Sequence, residues 1–149
     1  MAGKSTYLEA MMLDLLFKAT TNAAFASNAG TATSLYVSLH SSSPGDGGTQ
    51  ETNEVTTTQY GAYARVAVGR SGSGWVRTGS TINPLASINF PTTTSVGTGV
   101  TAAYFAIGDA ASGAGNLLYS GTITPSIVIP ATTAGVIPQL TTATAITEG

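Results

Sequence analysis

Residues 35–68 read LYVSLHSSSPGDGGTQETNEVTTTQYGAYARVAV, two alternating apolar segments joined by a polar, acidic loop. Leu35, Val37 and Leu39 alternate with Tyr36, Ser38 and His40, which is the two-residue period of a half-buried strand. In residues 44–54 the run Pro-Gly-Asp-Gly-Gly supplies turn chemistry, while Asp46, Glu51 and Glu54 supply negative charge. That loop is expected to be long, exposed and tolerant of substitution. A second strand is expected over residues 60–68. Residues 104–124, YFAIGDAASGAGNLLYSGTIT, repeat the order of strand, glycine-rich turn and strand.

Working outward, the flexible turn at residues 70–74 leads into 75–77 and predicts a hairpin with the strand before it. Ile82, Ile88 and Phe90 place strand material on either side of Asn83-Pro84, and Pro91 closes it because proline donates nothing to a ladder. Residues 100–107 and 117–124 form a further expected hairpin around 109–116, with strands near 127–129 and 140–146 finishing the chain. Short strands punctuated by Gly and Pro predict a mainly β fold, an antiparallel β-sandwich or jelly-roll-like domain. Its single core is expected to draw on Leu35, Val37, Leu39, Val66, Val68, Trp75, Ile88, Phe90, Phe105, Ile107 and Leu117.

One N-terminal amphipathic helix precedes this domain. Thr6-Tyr-Leu-Glu9 has the form of a capping box, so the helix is expected over residues 7–18. Leu8, Met12 and Leu15 make its apolar stripe, widened by Met11 and Leu16, and Asp14 and Lys18 stand four apart in the favourable order. The stripe packs on its own domain or docks on a neighbouring subunit, and its detachable position favours assembly over folding. Residues 20–34 read as a short irregular helix or a loose connection. The organisation expected is one domain over 1–149, with a helical segment at 1–20 and a β domain at 34–149.

A chain of 149 residues buries roughly two-thirds of its unfolded surface, so it holds a real core. Only 8% of its residues are charged, where soluble domains carry about a quarter. Five Lys and Arg against seven Asp and Glu provide no cationic field for a phosphate backbone, which argues against nucleic acid. The absence of Cys excludes disulfides, thiolate metal sites and cysteine nucleophiles. No apolar run reaches the length of about 18 residues that a membrane helix needs, and neither a membrane span nor a signal peptide is expected.

The candidate sites have bland readings beside the sharp ones. Gly3-Lys4-Ser5-Thr6 reproduces the end of a phosphate-binding loop, but no strand precedes it, and a helix cap explains it. His40, the sole histidine, would need a serine and Asp46 or Asp109 to make a triad, and no nucleophile-elbow sequence supports one. Asp46, Glu51 and Glu54 suit paired carboxylates or a calcium loop only loosely, and solvation of the turn is the simpler reading. Tyr36, Tyr60, Tyr63, Trp75, Tyr104 and Tyr119 could line a glycan face, although cross-strand pairing and core explain them better. No catalytic, cofactor-binding or metal residue is assigned, and no enzyme is expected.

Leu35, Tyr36, Val37, Leu39, His40, Pro44 and Gly45, then Thr52, Asn53 and Glu54, then Tyr60, Tyr63 and residues 64–68 resemble a pattern of small tailed-phage structural proteins. That pattern runs LYVxLHTxxPG, a TxNE-type loop, then YxxYARVAV, and residues 107–124 extend the resemblance. The family is described as head-decoration or tail-fibre proteins, so the resemblance implies a virion component assembled in the host cytoplasm and transfers no catalytic residue. It leaves the place in the particle open; a capsid decoration or cement protein is the expectation preferred here, with a tail-fibre or tail-tip module second. Expected partners are the major capsid protein or other virion subunits, within a homo-oligomer for which a trimer is one candidate. The residues expected to carry contacts are Leu8, Met12, Leu15, Tyr36, Tyr63 and Trp75.

Overall fold

The computed structural model describes residues 5–20 and 33–147, so most of the 20–34 connection lies outside the described residues. The fold is mainly β with antiparallel sheets and one helix near the N-terminus, as the alternation predicts. The chain divides into two compact units, one of Met1–Leu35, Val68–Ile88 and Leu140–Gly149, the other of Tyr36–Ala67 and Asn89–Gln139.

In the first unit, helix α1 spans Thr6–Lys18. Its N-cap is Ser5, whose hydroxyl accepts from the Leu8 amide at 3.3 Å. The cap therefore sits one residue before the expected Thr6, which leaves Glu9 one position too far along to close a capping box. Ala19 stops the helix in the left-handed region at φ 53°, its N–H returning to the Asp14 carbonyl. The expected apolar stripe is not the buried one: Leu8 and Met12 are 37% and 39% exposed, whereas Leu13 and Phe17 are fully buried. Apolar residues surround most of this helix, so periodicity alone leaves the facing stripe open. The Phe17 ring chooses it, meeting Trp75 edge-on with centroids 4.7 Å apart.

Trp75 opens β3 (Trp75–Thr78), which pairs antiparallel with β4 (Thr81–Pro84), and β4 pairs in turn with β9 (Ile146–Thr147). The hairpin therefore lies at residues 79–80, where Gly79 adopts φ 62°, and not at the expected 70–74. The 70–74 turn is drawn to the helix instead: Arg70 donates from Nε to the Leu16 carbonyl at 2.7 Å and from Nη2 to that of Leu15 at 3.1 Å, satisfying carbonyls at the helix end. Arg77 Nε donates to Asp14 at 2.8 Å, with Lys18 at 3.3 Å from the same oxygen. Burial, the largest single influence on Asp14, raises its pKa, but the bonds and charges of Arg77 and Lys18 together carry it below the ordinary value. Leu13, Phe17, Leu35, Trp75, Ile82, Ile88, Leu140 and Ile146 are the buried apolar residues of this unit. The helix is thus part of the unit's core, which corrects the expectation of a detachable segment.

The second unit is built on a sheet of order β2-β1-β6-β7. It comprises β1 (Ser34–His40), β2 (Val66–Gly69), β6 (Val100–Gly108) and β7 (Leu117–Ile129), β1 and β2 each giving residues to both units. β1 runs antiparallel to β6, Tyr36 opposite Gly108 and His40 opposite Tyr104. The β6–β7 hairpin is where the sequence predicts it, and β7 continues through the 127–129 stretch expected as a separate strand. Pro125 is tolerated because β7 is an edge strand.

Residues 60–65 are bend, turn and irregular chain, not strand: Tyr60 is buried, and the Gly61 amide binds the Val96 carbonyl at a point where any side chain would strike it. At the end of the chain, the expected 140–146 strand is two short ones, β8 (Gln139–Leu140) beside β5 (Ile88–Asn89), and β9. Val37, Leu39, Val55, Tyr60, Phe90, Phe105, Ile107 and Ile129 supply the buried bulk of this unit, whereas Val66, Val68 and Leu117 are only half-buried on short or terminal strand positions.

Phe17→Ala is expected to cost about 3–5 kcal/mol in chemical denaturation. Leu8→Ala and Met12→Ala, on the outer face, are expected to stay within about 0.5 kcal/mol.

Candidate interaction site

Residues 41–43 and 45–47 of the loop after β1 are exposed, as the sequence predicts, whereas its later part around Gln50 and Thr52 lies back against β1. Residues 37–40 are all buried, so the alternation of β1 does not separate core from solvent. Ser38 and His40 are both fully buried and need partners there. The Thr52 carbonyl lies 2.9 Å from His40 Nδ1, and since a carbonyl only accepts, Nδ1 carries the proton. Nε2 is then free to accept from the Ser38 hydroxyl, also at 2.9 Å. Burial is the main cause that depresses the His40 pKa, against the opposing pull of the Thr52 carbonyl and the Glu54 charge.

Gln50, likewise fully buried, joins the loop to the 109–116 turn. Its backbone amide donates to the Gly115 carbonyl at 3.0 Å, its Oε1 accepts from the Ala110 amide at 3.0 Å, and its Nε2 donates to the Tyr36 carbonyl at 3.3 Å. A β-carbon on Gly108 would collide with this carboxamide, so a larger residue there would displace Gln50 from its bonds. The turn is closed by Asp109, whose carboxylate accepts from the Asn116 amide at 2.8 Å and side chain at 2.6 Å.

A carboxylate–guanidinium pair ties these pieces together. Glu54 accepts from Arg65 Nε at 2.8 Å and Nη2 at 2.7 Å, and from the Tyr63 hydroxyl at 2.7 Å. Arg65 also donates to the carbonyls of Ala110 at 2.9 Å and Gly113 at 2.8 Å. The Tyr63 oxygen in turn accepts from the Leu39 amide at 3.1 Å. The side chains of Arg65 and Glu54 are 3% and 12% exposed. The hydrogen bonds of Glu54 raise the Arg65 pKa, and burial first, then the Glu54 charge, raises that of Tyr63. Tyr63 stacks on Phe90 with ring planes 13° apart.

A cleft of about 480 Å³ opens beside this pair, lined by Glu51, Glu54, Val55, Thr56, Thr57, Tyr63, Ala64, Arg65, Ala111, Ser112 and Gly113. Glu54 and Arg65 neutralise each other, so the lining offers hydroxyls, backbone groups and the exposed Glu51. This chemistry suits contact with polar, weakly charged surfaces.

Of the residues expected to carry contacts, Leu8 and Met12 are exposed, Leu15 and Tyr36 are half-buried, Tyr63 is bound into the network, and Trp75 is 1% exposed in the core. Among the other aromatics, Tyr60 is buried and Tyr104 and Tyr119 are half-buried. Among the described residues no bond joins His40 to Asp46 or Asp109, and no group of three His, Asp or Glu is placed to hold a metal. Gly3 and Lys4 of the phosphate-loop reading lie outside the described residues. Sequence reasoning missed Gln50 and the pairing of Glu54 with Arg65. Both lie within the quoted 35–68 stretch, where an acidic residue ahead of YARVAV was the available signal.

A family model described as Podophage GP4 fiber I protein gp80 matches residues 3–143. No curated protein matches the chain.

Glu54→Ala strands a buried guanidinium and is expected to cost about 3–5 kcal/mol, read by denaturant titration. Asp46→Ala and Glu51→Ala, at exposed positions of the same loop, are expected to change stability by less than about 0.5 kcal/mol.

Because the folded pKa of His40 is depressed, the unfolded chain binds its proton first. The His40 contribution is therefore complete above the ordinary value of 6.5 and is lost as pH falls from there through the folded value. The slope is at most about 1.4 kcal/mol per pH unit. Melting curves between pH 7 and 5 should show it, and His40→Gln should flatten it; an unchanged slope would count against this role.

Proposed function

The chain belongs to the podophage GP4 fibre I protein gp80 family and is a phage virion structural protein, and on that premise we propose that it is a non-enzymatic fibre module. The fibre description of the matching family, over nearly the whole chain, carries this reading. In it the protein assembles as a homo-oligomer with other virion subunits and contacts the host surface through the loops around the Glu54–Arg65 pair. The support from the site is preorganisation: loops held by buried hydrogen bonds lose little freedom on contact, so weak polar contacts retain more of their binding energy. Repetition over several copies then multiplies modest contacts into firm attachment.

Capsid decoration is the second reading. The observation that favours it is the 8% charged content, since a surface with few ions has few to desolvate when buried against a shell. Gold-labelled or tagged protein imaged on whole particles separates the two. The fibre reading expects a few copies at an appendage, and label spread over the head at hundreds of copies would replace it with decoration. In either case purified protein is expected to leave host glycans and peptides unhydrolysed, and turnover abolished by His40→Ala at unchanged melting temperature would overturn the non-enzymatic assignment.

A further inference from the structure

Residues 45–48 form a turn in the exposed part of the loop after β1, closed by the Gly48 amide donating to the Gly45 carbonyl at 3.1 Å. Asp46 and Gly47 are its two central residues, and both are exposed. Among the described residues the Asp46 carboxylate has no hydrogen-bond or ion-pair partner and the Gly47 amide has no acceptor. An aspartate and the amide that follows it react with each other when neither is held, because that nitrogen can close a five-membered ring on the side-chain carboxyl carbon. At the other two aspartates the structure holds both groups. Asp14 lies inside α1, where the next amide belongs to the helical ladder, and its carboxylate is bound by Arg77 and Lys18. The Asp109 carboxylate is taken by Asn116, and the Ala110 amide that follows it donates to Gln50 Oε1 at 3.0 Å. Asp46 is also the one aspartate of the sequence followed by glycine, which puts no side chain in the path of the attacking nitrogen.

We propose that Asp46 and Gly47 form a site of spontaneous isoaspartate formation, so that the exposed loop is chemically altered as the protein ages. The Gly47 nitrogen attacks Cγ of the protonated Asp46 carboxyl, an N–Cγ bond forms, and the amide proton leaves with the carboxyl hydroxyl as water. The cyclic imide then takes up one water. Cleavage of the new N–Cγ bond restores aspartate, whereas cleavage of the bond between the Gly47 nitrogen and the Asp46 main-chain carbonyl carbon leaves the chain running through Cβ and Cγ with a free α-carboxylate. The water released equals the water consumed, so mass and charge are unchanged and no oxidant or reductant takes part. The product has an extra carbon in the main chain between the two residues, which lengthens the span that the Gly48-to-Gly45 bond closes and breaks that bond. Further along, the Thr49 amide is held by Thr52 Oγ1 at 3.0 Å, Gln50 by Ala110 and the Thr52 carbonyl by His40, so the change stays within residues 44–48. The proposal stands apart from the fibre and decoration readings, because the chemistry needs only the exposed turn.

Incubation of the full chain at neutral pH and physiological temperature, followed by peptide mapping, tests the proposal. The peptide containing Asp46 is expected to divide with time into two species of equal mass. Electron-transfer fragmentation should identify the new one as isoaspartate, and a protein isoaspartate methyltransferase should transfer a labelled methyl group to it. Peptides containing Asp14 and Asp109 are expected to remain single. A β-carbon at Gly47 meets nothing within 4 Å, so Gly47→Val is compatible with the fold. Its branched side chain crowds the attacking nitrogen and should slow the isomerisation by about tenfold. The melting temperature of the isomerised fraction should equal that of fresh protein. A single Asp46 species throughout, isomerisation as fast at Asp14 or Asp109, or a rate unchanged in Gly47→Val overturns the site. A lowered melting temperature of the isomerised fraction overturns the confinement to residues 44–48. Should Gly47→Val fail to fold, the comparison of the three aspartates in the unaltered chain decides alone.

Discussion

The second unit depends on one buried ion pair. Arg65 has almost no solvent contact, so its charge is tolerable only where Glu54 grips it with two oxygens and the Ala110 and Gly113 carbonyls take further protons. A pair of this kind adds little net stability, because desolvation offsets attraction, yet it penalises every arrangement that leaves one partner alone. Its effect is therefore to select a geometry. The loop after β1, the segment before β2 and the β6–β7 turn adopt one mutual arrangement, and Tyr63 carries the constraint into the sheet through the Leu39 amide.

The same logic explains the polar face of β1. A central strand covered on both faces needs partners for Ser38 and His40: the returning loop gives His40 the Thr52 carbonyl, and the Ser38 hydroxyl meets His40 Nε2. Two residues earlier, Gln50 binds the same stretch of loop to the turn at 109–116, with glycine at 108 leaving the space. A loop rich in Gly and acids is thus an inner layer around Gln50 and Thr52 and solvent-facing over residues 41–43 and 45–47 and at Glu51 and Asn53. For a virion protein this arrangement makes the loops a defined surface, which is the property a contact module requires.

In the first unit the organising contact is aromatic. Phe17 against Trp75 sets which stripe of α1 faces inward, and Asp14 with Arg77 and Arg70 with the last helical carbonyls hold its orientation. Among the described residues the indole N–H of Trp75 has no hydrogen-bond partner.

Local pattern was enough for the mainly β class, the N-terminal helix, the 100–124 hairpin and buried residues of the alternating strands such as Val37, Leu39, Phe105 and Ile107, because two-residue alternation, Gly-rich turns and proline stops act over a few neighbours in the chain. The resemblance carried by residues 35–68 pointed to a virion protein for the same reason: the motif is contiguous. What the sequence left open was decided by groups distant along the chain. The buried stripe of α1 depended on Trp75, the hairpin partner of β3 on a turn at 79–80 competing with one at 70–74, and the burial of the acidic loop on Arg65 and Ala110. Those choices are made by desolvation and by satisfying buried polar groups, quantities that no local periodicity encodes because they exist only once the chain has closed on itself.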